Sequence, residues 1–243
     1  MENLLISIMA GGLGKRMNSD LPKVLHLLNN KPLIVHIIET ALKINPEKIG
    51  IIVGKYRQII QKTINKYVSD NSKIEYINQP EALGTGHAIL CCKSFLSKYS
   101  DLCVTILSGD VPLITSQTLE RLNNSLLENG SALLVNKLEN PFGYGRIKTK
   151  NNEFEKIVEE KDCSQDERKI DLVNSGIYCF KNNILLSNIE KIKNNNKQNE
   201  YYLTDIFNFI DRKNITLIQT ENYHEVMGIN NPEQLKELEL ICK

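Results

Sequence analysis

Read as a pattern of apolar and polar positions, the chain opens on a short hydrophobic run, LLISIM (Leu4–Met9), rich in β-formers and halted by Gly11 and Gly12. An apolar run of that length without alternation predicts a strand buried on both faces. From Pro32, PLIVHIIETALKI places apolar residues at 33, 34, 37, 38, 41, 42 and 44, the spacing of a helix face. IGIIV (Ile49–Val53) predicts a second strand and residues 55–68 a helix. IEYI (Ile74–Ile77) and LCVTIL (Leu102–Leu107) predict two further strands, with a helix from about His87 to Lys98 between them. Strands alternating with helices of this kind imply an α/β fold, a mostly parallel central sheet with helices on both faces and right-handed crossovers.

After about Ser131 the rhythm changes. SALLV, GRIK, FEKIV and SGIYCF are short strand candidates with less helix between them. They predict a smaller antiparallel extension that forms one wall of a cleft. KIKNNNKQNE (Lys191–Glu200) is polar and low in complexity, a surface loop. NPEQLKELELI closes the chain as an amphipathic helix with Pro232 near its first turn. With 243 residues and no internal repeat, one domain over residues 1–243 is expected, in two parts that meet near residue 130.

Composition narrows the partners. Thirty Lys+Arg against 29 Asp+Glu leave a net charge of +1, so no global field draws a polyanion and no nucleic-acid partner is expected. Any phosphate must be held by a local arrangement. Six cysteines lack C-x-x-C spacing, and the adjacent Cys91 and Cys92 cannot bridge without distorting the backbone. Reduced, mostly buried thiols and a cytoplasmic setting follow. The N-terminus lacks a basic leader, and no run approaches about 18 apolar residues, so neither a signal peptide nor a membrane span is expected.

The candidate chemistry begins at MAGGLGKRM (Met9–Met17) and continues through NSDLPKVL (Asn18–Leu25). A Walker A loop fails here, because Arg16 follows Gly14-Lys15 where a metal-binding hydroxyl is required. The dinucleotide fingerprint also fails, because Met17 stands where its third glycine belongs. What remains is a strand, a glycine-rich turn at the carboxyl end of a sheet, then Arg16 and Lys23. Ligands bind at that end of open α/β sheets.

GGLGKRMNSDLPKVLH resembles the signature loop of sugar-nucleotide pyrophosphorylases, and more closely that of the N-acetylglucosamine-1-phosphate uridylyltransferases. The resemblance continues in the family's order through QPEALGTGHA (Gln79–Ala88), GDVPLI (Gly109–Ile114), GYGRI (Gly143–Ile147), IVEEKD (Ile157–Asp162), NSGIY (Asn174–Tyr178), NEYYLTD (Asn199–Asp205) and GINN (Gly228–Asn231). It implies a Rossmann-like nucleotidyltransferase fold, with a nucleotide-binding part to about residue 130 and a sugar-binding part beyond. The implied reaction joins UTP and N-acetylglucosamine 1-phosphate into UDP-N-acetylglucosamine and pyrophosphate. An already anionic sugar phosphate attacks the α-phosphorus in line with the departing pyrophosphate, so no general base is needed. Positioning and charge stabilisation carry such a reaction.

The resemblance assigns residues accordingly. Ala10 and the backbone N–H groups of Gly11, Gly12 and Gly14 would surround the triphosphate. Arg16 would face the departing phosphates and Lys23 the α-phosphate, both as catalytic groups, while Lys15 is expected to be solvated. Asp110, at the end of a strand, and Asn230 would hold Mg²⁺, although Asn231 is adjacent and Asp110 taken without the other motifs would read as a turn cap. Gln79, Gly84 and Thr85 would read uracil, with His87 structural. Gly143, Glu159, Asn174, Tyr202 and Thr204 would receive the sugar, with core packing the competing reading for Tyr202.

The chain departs from the family pattern at Ser108, where an aromatic residue is usual, and at Met227, which replaces an acidic residue before GINN. Many members also carry an acetyltransferase built as a β-helix of hexapeptide repeats. No such repeat occurs here, so the implied activity is the uridylyltransferase alone, and the oligomeric state is open. The sequence leaves two alternatives: a nucleotidyltransferase for glucose 1-phosphate or dTTP, and a silent nucleotide-sugar-binding module.

Overall fold

The computed structural model, which describes residues 4–12, 14–127, 130–151 and 153–242, places the opening apolar run as strand β1 (Leu4–Met9). A two-residue hairpin, β2 (Leu27–Leu28) and β3 (Lys31–Pro32), leads into helix α1 (Leu33–Lys43) and strand β4 (Lys48–Val53). Helix α2 (Arg57–Tyr67) connects to β5 (Ile74–Asn78), and α3 (Thr85–Cys91) with α4 (Lys93–Leu96) connects to β6 (Cys103–Ser108). Helix α5 (Ser116–Asn124) precedes β7 (Ser131–Lys137) and the hairpin of β8 (Arg146–Lys150) and β9 (Glu153–Val158). The chain then runs through β10 (Leu172–Lys181), α6 (Asn182–Asn188), β11 (Ile215–Gln219) and α7 (Pro232–Ile241).

Among the described residues, one sheet runs in the order β11-β7-β10-β6-β1-β4-β5, with β8 attached to β10 and β9 to β8. Strands β6, β1, β4 and β5 run parallel to one another, as the alternating strand–helix rhythm predicts. The chain leaves β1 toward β4 on one side and returns through β6 on the other, so the turn after β1 lies where the strand order reverses. That is where open α/β sheets leave a crevice.

The apolar run of β1 reads continuously because both of its faces are covered. Leu4, Ile6 and Ile8 join the core that buries α1, α2 and α5, while Leu5 joins the core beneath α3, α4 and α6. Strand β4 repeats the division, with Ile49, Ile51 and Val53 on the first face and Ile52 on the second. A third, smaller cluster gathers Met17, Leu28, Leu33, Met227, Ile229 and Leu238 at the edge of the site.

One expectation needs correction. The helix expected from His87 to Lys98 starts earlier, at Thr85, and breaks at Cys92. The Cys92 N–H reaches back to the Ile89 carbonyl at 2.9 Å, a three-residue closure that tightens the turn. The late strands supply the expected antiparallel extension, through the pairings of β10 with β6, β7 and β8 and of β8 with β9. β10 is antiparallel but lies inside the sheet between β6 and β7, while β11 runs parallel to β7. Tyr178, Cys179 and Phe180 are buried in succession, so this strand has two apolar faces and belongs in the interior. Only β8 and β9 project from the sheet. Residues 192–202 lack regular structure, and Pro232 sits in the first turn of α7, both as expected. Among the described residues, no helix is long and apolar enough to cross a membrane.

Beneath the hairpin, Phe207 packs with Phe154, Tyr178 and Phe180 at ring-centroid separations of 5.8, 5.6 and 5.4 Å. Truncating a buried ring removes its transfer energy and leaves a cavity. Phe207→Ala is expected to lower the unfolding free energy by roughly 3–5 kcal/mol, read from urea denaturation. A loss under about 1 kcal/mol would show that the aromatic group does not hold the hairpin side of the core.

Candidate active site

The loop after β1 delivers its cations through short turns with buried anchors. A 3-10 turn over Lys15–Met17 is entered at Gly14, whose φ of 60° is left-handed. A Cβ at Gly14 would stand 2.8 Å from the Lys23 Cβ, so glycine serves both the backbone conformation and the approach of Lys23. Met17 closes the turn by burying itself against Met227 and Ile229, which leaves Arg16 exposed at the cleft. Pro22 precedes a second 3-10 turn, Lys23–Leu25, whose Val24 and Leu25 enter the main core. Lys23 is thereby aimed from a fixed backbone. Gly12 is exposed, with open space where a side chain would be, and Leu13 and the Lys15 side chain lie outside what is described.

Asp110 arrives from the end of β6. The Gly109 N–H bonds to the Met9 carbonyl at 2.9 Å, joining the ends of β6 and β1. The Asp110 carboxylate, 8% exposed, accepts a short contact from Lys23 Nζ and a 2.6 Å hydrogen bond from Ser108 Oγ. Burial pushes this carboxyl up, but the Lys23 ammonium, its hydrogen bond and the Ser108 hydroxyl outweigh that effect and hold it below the usual range. Asn230 comes from the segment before α7, and its Oδ1 accepts from Lys23 Nζ at 3.2 Å and from Arg16 Nη2 at 3.1 Å. The adjacent Asn231 instead caps α7, its side chain accepting from the Gln234 N–H at 2.8 Å. Gln234 Oε1 in turn accepts the Asn230 N–H at 2.8 Å, a reciprocal arrangement close to a capping box.

These residues fit a hard divalent cation. One ammonium touches oxygens of both Asp110 and Asn230, so a single positive centre can reach both. Carboxylate and amide oxygens suit Mg²⁺, which takes few protein ligands and completes its shell with phosphate and water. Among the described residues there is no group of three or more His, Cys, Asp or Glu for an all-protein metal cage, and this arrangement requires none.

The cleft, of about 320 Å³, extends from Arg16, Asp110 and Asn230 to a second set of polar groups. Thr85, Gly143, Glu159, Asn174 and Thr204 line it. Thr204 Oγ1 donates to Glu159 Oε1 at 2.8 Å, leaving the other carboxylate oxygen free of any protein hydrogen bond among those described. Burial raises the Glu159 carboxyl, as do the charges of Asp205, Asp162 and Glu200. Asn174 lies where β10 advances four residues against two of β7, and its Oδ1 accepts the Gly176 N–H at 3.1 Å. That irregularity interrupts the ladder and brings Asn174 to the cleft lining, while its Nδ2 donates to the Tyr178 hydroxyl at 2.7 Å.

Several expected site residues are not brought to the cleft lining. Tyr202 is buried, its hydroxyl accepting from Gln198 Nε2 at 2.9 Å, and burial pushes its phenol up to about 12. Its ring packs within the interior and is not among the residues lining the cleft. Gln79 is also buried, with Nε2 directed at the Gly84 carbonyl (3.3 Å) and toward His87 Nδ1 (3.4 Å). Its Oε1 abuts Gly11, where a Cβ would come within 2.5 Å. Gly84 (φ 110°) makes its close approach to the chain's own Tyr201, whose carbonyl accepts the Gly86 N–H at 2.7 Å. Leu203 N–H donates to Thr85 Oγ1 at 3.0 Å, so LGTG and YYLTD are stitched together. Ala10 and Gly11 lie beneath the loop, the Ala10 N–H bonded to the Ile52 carbonyl at 2.8 Å. His87 sits in the first turn of α3 beside Gln79 and Cys91, away from the cleft.

Sequence reasoning missed Tyr144, which lines the cleft with its hydroxyl facing the Gly228 amide. It also missed Glu160, which binds Arg146 and Arg168 at 2.8 and 2.5 Å. The double carboxylate in IVEEKD was the available signal for the second.

Residues 6–223 match the nucleotidyl transferase family. The chain is 41% identical over 250 residues to a "Probable UDP-N-acetylglucosamine pyrophosphorylase" of Acanthamoeba polyphaga mimivirus, covering 100% of this chain and 97% of that protein. It is 42% identical over 241 residues to the "Bifunctional protein GlmU" of Clostridium beijerinckii, covering 97% of this chain and 51% of the relative. The chain thus spans about half the length of that bifunctional relative. A solved UDP-glucose pyrophosphorylase complexed with UDP-glucose superposes with a TM-score of 0.78 at 20% identity, covering 100% of this chain and 98% of that one, and shares the fold.

The raised Glu159 carboxyl predicts a pH-dependent strain. A group whose folded pKa is raised opposes folding once pH exceeds its unfolded value, and the penalty fades as it becomes protonated. Glu159→Gln is therefore expected to melt at a higher temperature than the native chain at pH 8, with the gap narrowing toward pH 5. A gap that is absent or that widens on acidification would contradict this electrostatic account.

Proposed function

Because the chain belongs to the nucleotidyl transferase family, we propose that it transfers the uridylyl group of UTP to N-acetylglucosamine 1-phosphate. The observation that carries this reading is the contact of one ammonium, Lys23 Nζ, with both Asp110 and Asn230 in a cleft that also presents Arg16. Two anions must meet for the reaction, and this end of the cleft concentrates positive charge beside the only strongly buried carboxylate it holds among the described residues.

In this reading an oxygen of the sugar phosphate forms a bond to the α-phosphorus of UTP as the bond from that phosphorus to the bridging oxygen breaks and pyrophosphate leaves. Backbone groups of the Gly11–Gly14 turn approach the triphosphate, and the open side of Gly12 admits it. Arg16 offers its planar fork to the leaving phosphates. Lys23 exchanges its contact with Asp110 for the phosphoryl oxygens where charge develops. Asp110 and Asn230 would hold Mg²⁺, which when bound neutralises phosphate charge. Glu159, Asn174 and Gly143 face the sugar, with Thr204 fixing the Glu159 carboxylate. Thr85 faces the base, and Gln79 supports it from beneath Gly11. No general base is required, in keeping with the distance of His87 from the cleft. The substrates are small molecules, and the reading needs no nucleic acid and no membrane.

Pyrophosphate release should be measured with UTP and dTTP against N-acetylglucosamine 1-phosphate and glucose 1-phosphate, with and without Mg²⁺. The fastest turnover is expected for UTP with the N-acetylated sugar and Mg²⁺. Preference for glucose 1-phosphate or dTTP would overturn the substrate assignment, and no turnover with any pair would favour a binding module. Asp110→Ala is expected to abolish Mg²⁺-dependent turnover, and Lys23→Ala to slow it by roughly 10²- to 10³-fold, as for removal of one preorganised electrostatic group. Native rates in both variants would discard the mechanism.

A further inference from the structure

Glu159 and Glu160 are consecutive carboxylates with different surroundings. Glu159 lines the cleft, while Glu160 serves an arginine pair behind the loop of residues 141–145. Glu160 Oε2 accepts from Arg146 Nη2 at 2.8 Å and from the Gly143 N–H at 3.1 Å. Its Oε1 accepts from Arg168 Nη1 at 2.5 Å. Arg146 is 1% exposed, and its other arm, Nη1, donates to the Tyr144 carbonyl. Two successive peptides of the loop are thus tied to one carboxylate, Gly143 directly and Tyr144 through Arg146.

The ends of that loop are held separately, by the Tyr144 N–H to the Pro141 carbonyl at 3.2 Å and the Asn174 N–H to the Gly145 carbonyl at 2.9 Å, but its tip is open. Phe142 is 72% exposed, so its ring does not anchor the segment by burial, and nothing lies within 4 Å of where a Gly143 side chain would be. Its inner side nevertheless lines the cleft through Gly143, Tyr144 and Gly145. Tyr144 reaches the Gly228 amide, two residues before Asn230. A buried ion cluster is weak evidence for stability, because desolvation offsets its attraction, but it imposes a specific geometry.

We infer that Glu160 is a positioning residue that fixes the 141–145 loop as the wall receiving the sugar phosphate. The inference rests on the proposed function for the identity of the ligand, and on the geometry alone for the immobilised loop. Removing the carboxylate frees Gly143 and loosens the Arg146 arm that holds Tyr144, so the wall moves while the nucleotide end of the cleft keeps its contacts.

The test compares the full chain with Glu160→Gln and Arg168→Gln in steady-state kinetics and in hydrogen exchange without substrate. Glu160→Gln is expected to raise KM for N-acetylglucosamine 1-phosphate by about tenfold, with KM for UTP held within about twofold and kcat changed less than the sugar-phosphate KM. Arg168 has a side chain 44% exposed, and its substitution removes only the outer arm. Arg168→Gln should move the same KM by about threefold. Amides of residues 141–145 should exchange about tenfold faster in Glu160→Gln. An unchanged sugar-phosphate KM, or equal rises in both KM values, in folded Glu160→Gln would overturn the inference. Should that variant fail to fold, native KM values and native loop exchange in Arg168→Gln would do the same. Should the native chain turn over no substrate pair, the proposed function fails on its own, and unchanged loop exchange in the variants would separately refute the clamp.

Discussion

The contact between Lys23 and Asp110 is the constraint around which the site is arranged. A carboxylate 8% exposed cannot stay ionised without a nearby positive charge, and burial alone would drive it toward its neutral form. Lys23 supplies that charge and also touches Asn230, which Arg16 touches in turn. Residues 23, 110 and 230 come from the loop after β1, the end of β6 and the segment before α7. Bringing them together requires the parallel pairing of β1 with β6 and the capping of α7 at Asn231. The charge arrangement and the fold therefore specify each other: each segment delivers one partner, and an unpaired partner would be expensive to bury.

The same logic explains where the cleft lies. Four parallel strands end side by side, and reversal of the strand order at β1 leaves room for a loop above them. β10 closes the other side. Its irregularity after Asn174 brings that residue to the cleft lining, and the projecting β8–β9 hairpin adds the 141–145 loop and Glu159. Arg16, Lys23 and Asp110 thus sit on turns anchored in the packed interior, whereas Glu159 and the 141–145 loop at the other end hang from a hairpin over the aromatic cluster of Phe207. Two ends with different support can be tuned separately.

Much of this was legible from residue types. The continuous apolar runs at Leu4–Met9 and Ile49–Val53 require two covered faces, and helical spacing after Pro32 supplies one cover. Arg16, Asp110 and Asn230 could be expected together because their motifs occur in a recognisable order. What pattern could not resolve was which of several plausible neighbours does which job. Asn230 and Asn231 are chemically identical, and only the start of α7 decides that the second caps the helix. Met17 excluded the dinucleotide fingerprint, yet its positive role, pinning the Arg16 turn against Met227, depends on a partner 210 residues away. The same contact accounts for Met227, a departure from the family pattern when read in sequence. Ser108 is explained locally, by its hydrogen bond to Asp110. Tyr202 and Gln79 lie in motifs that suggest ligand contact, but both are committed to the protein interior.

The adjacent carboxylates Glu159 and Glu160 show why local composition underdetermines a site. One is half-buried near other acids with a single hydroxyl donor, and burial and those charges raise its carboxyl. For the other, burial is outweighed by the Gly143 N–H and two guanidinium groups, and its carboxyl is lowered. The first is an electrostatically unfavourable arrangement, which a chain selected for stability alone would not keep facing an open cleft. The second is fully partnered and turned away from it. A residue whose environment opposes its own charge has an unmet hydrogen-bonding need that a hydroxylated ligand can satisfy, whereas a satisfied one can only hold others in place. The contrast favours Glu159 as the ligand contact of the proposed reaction and Glu160 as the residue that fixes the wall, two proposed roles separated by one peptide bond.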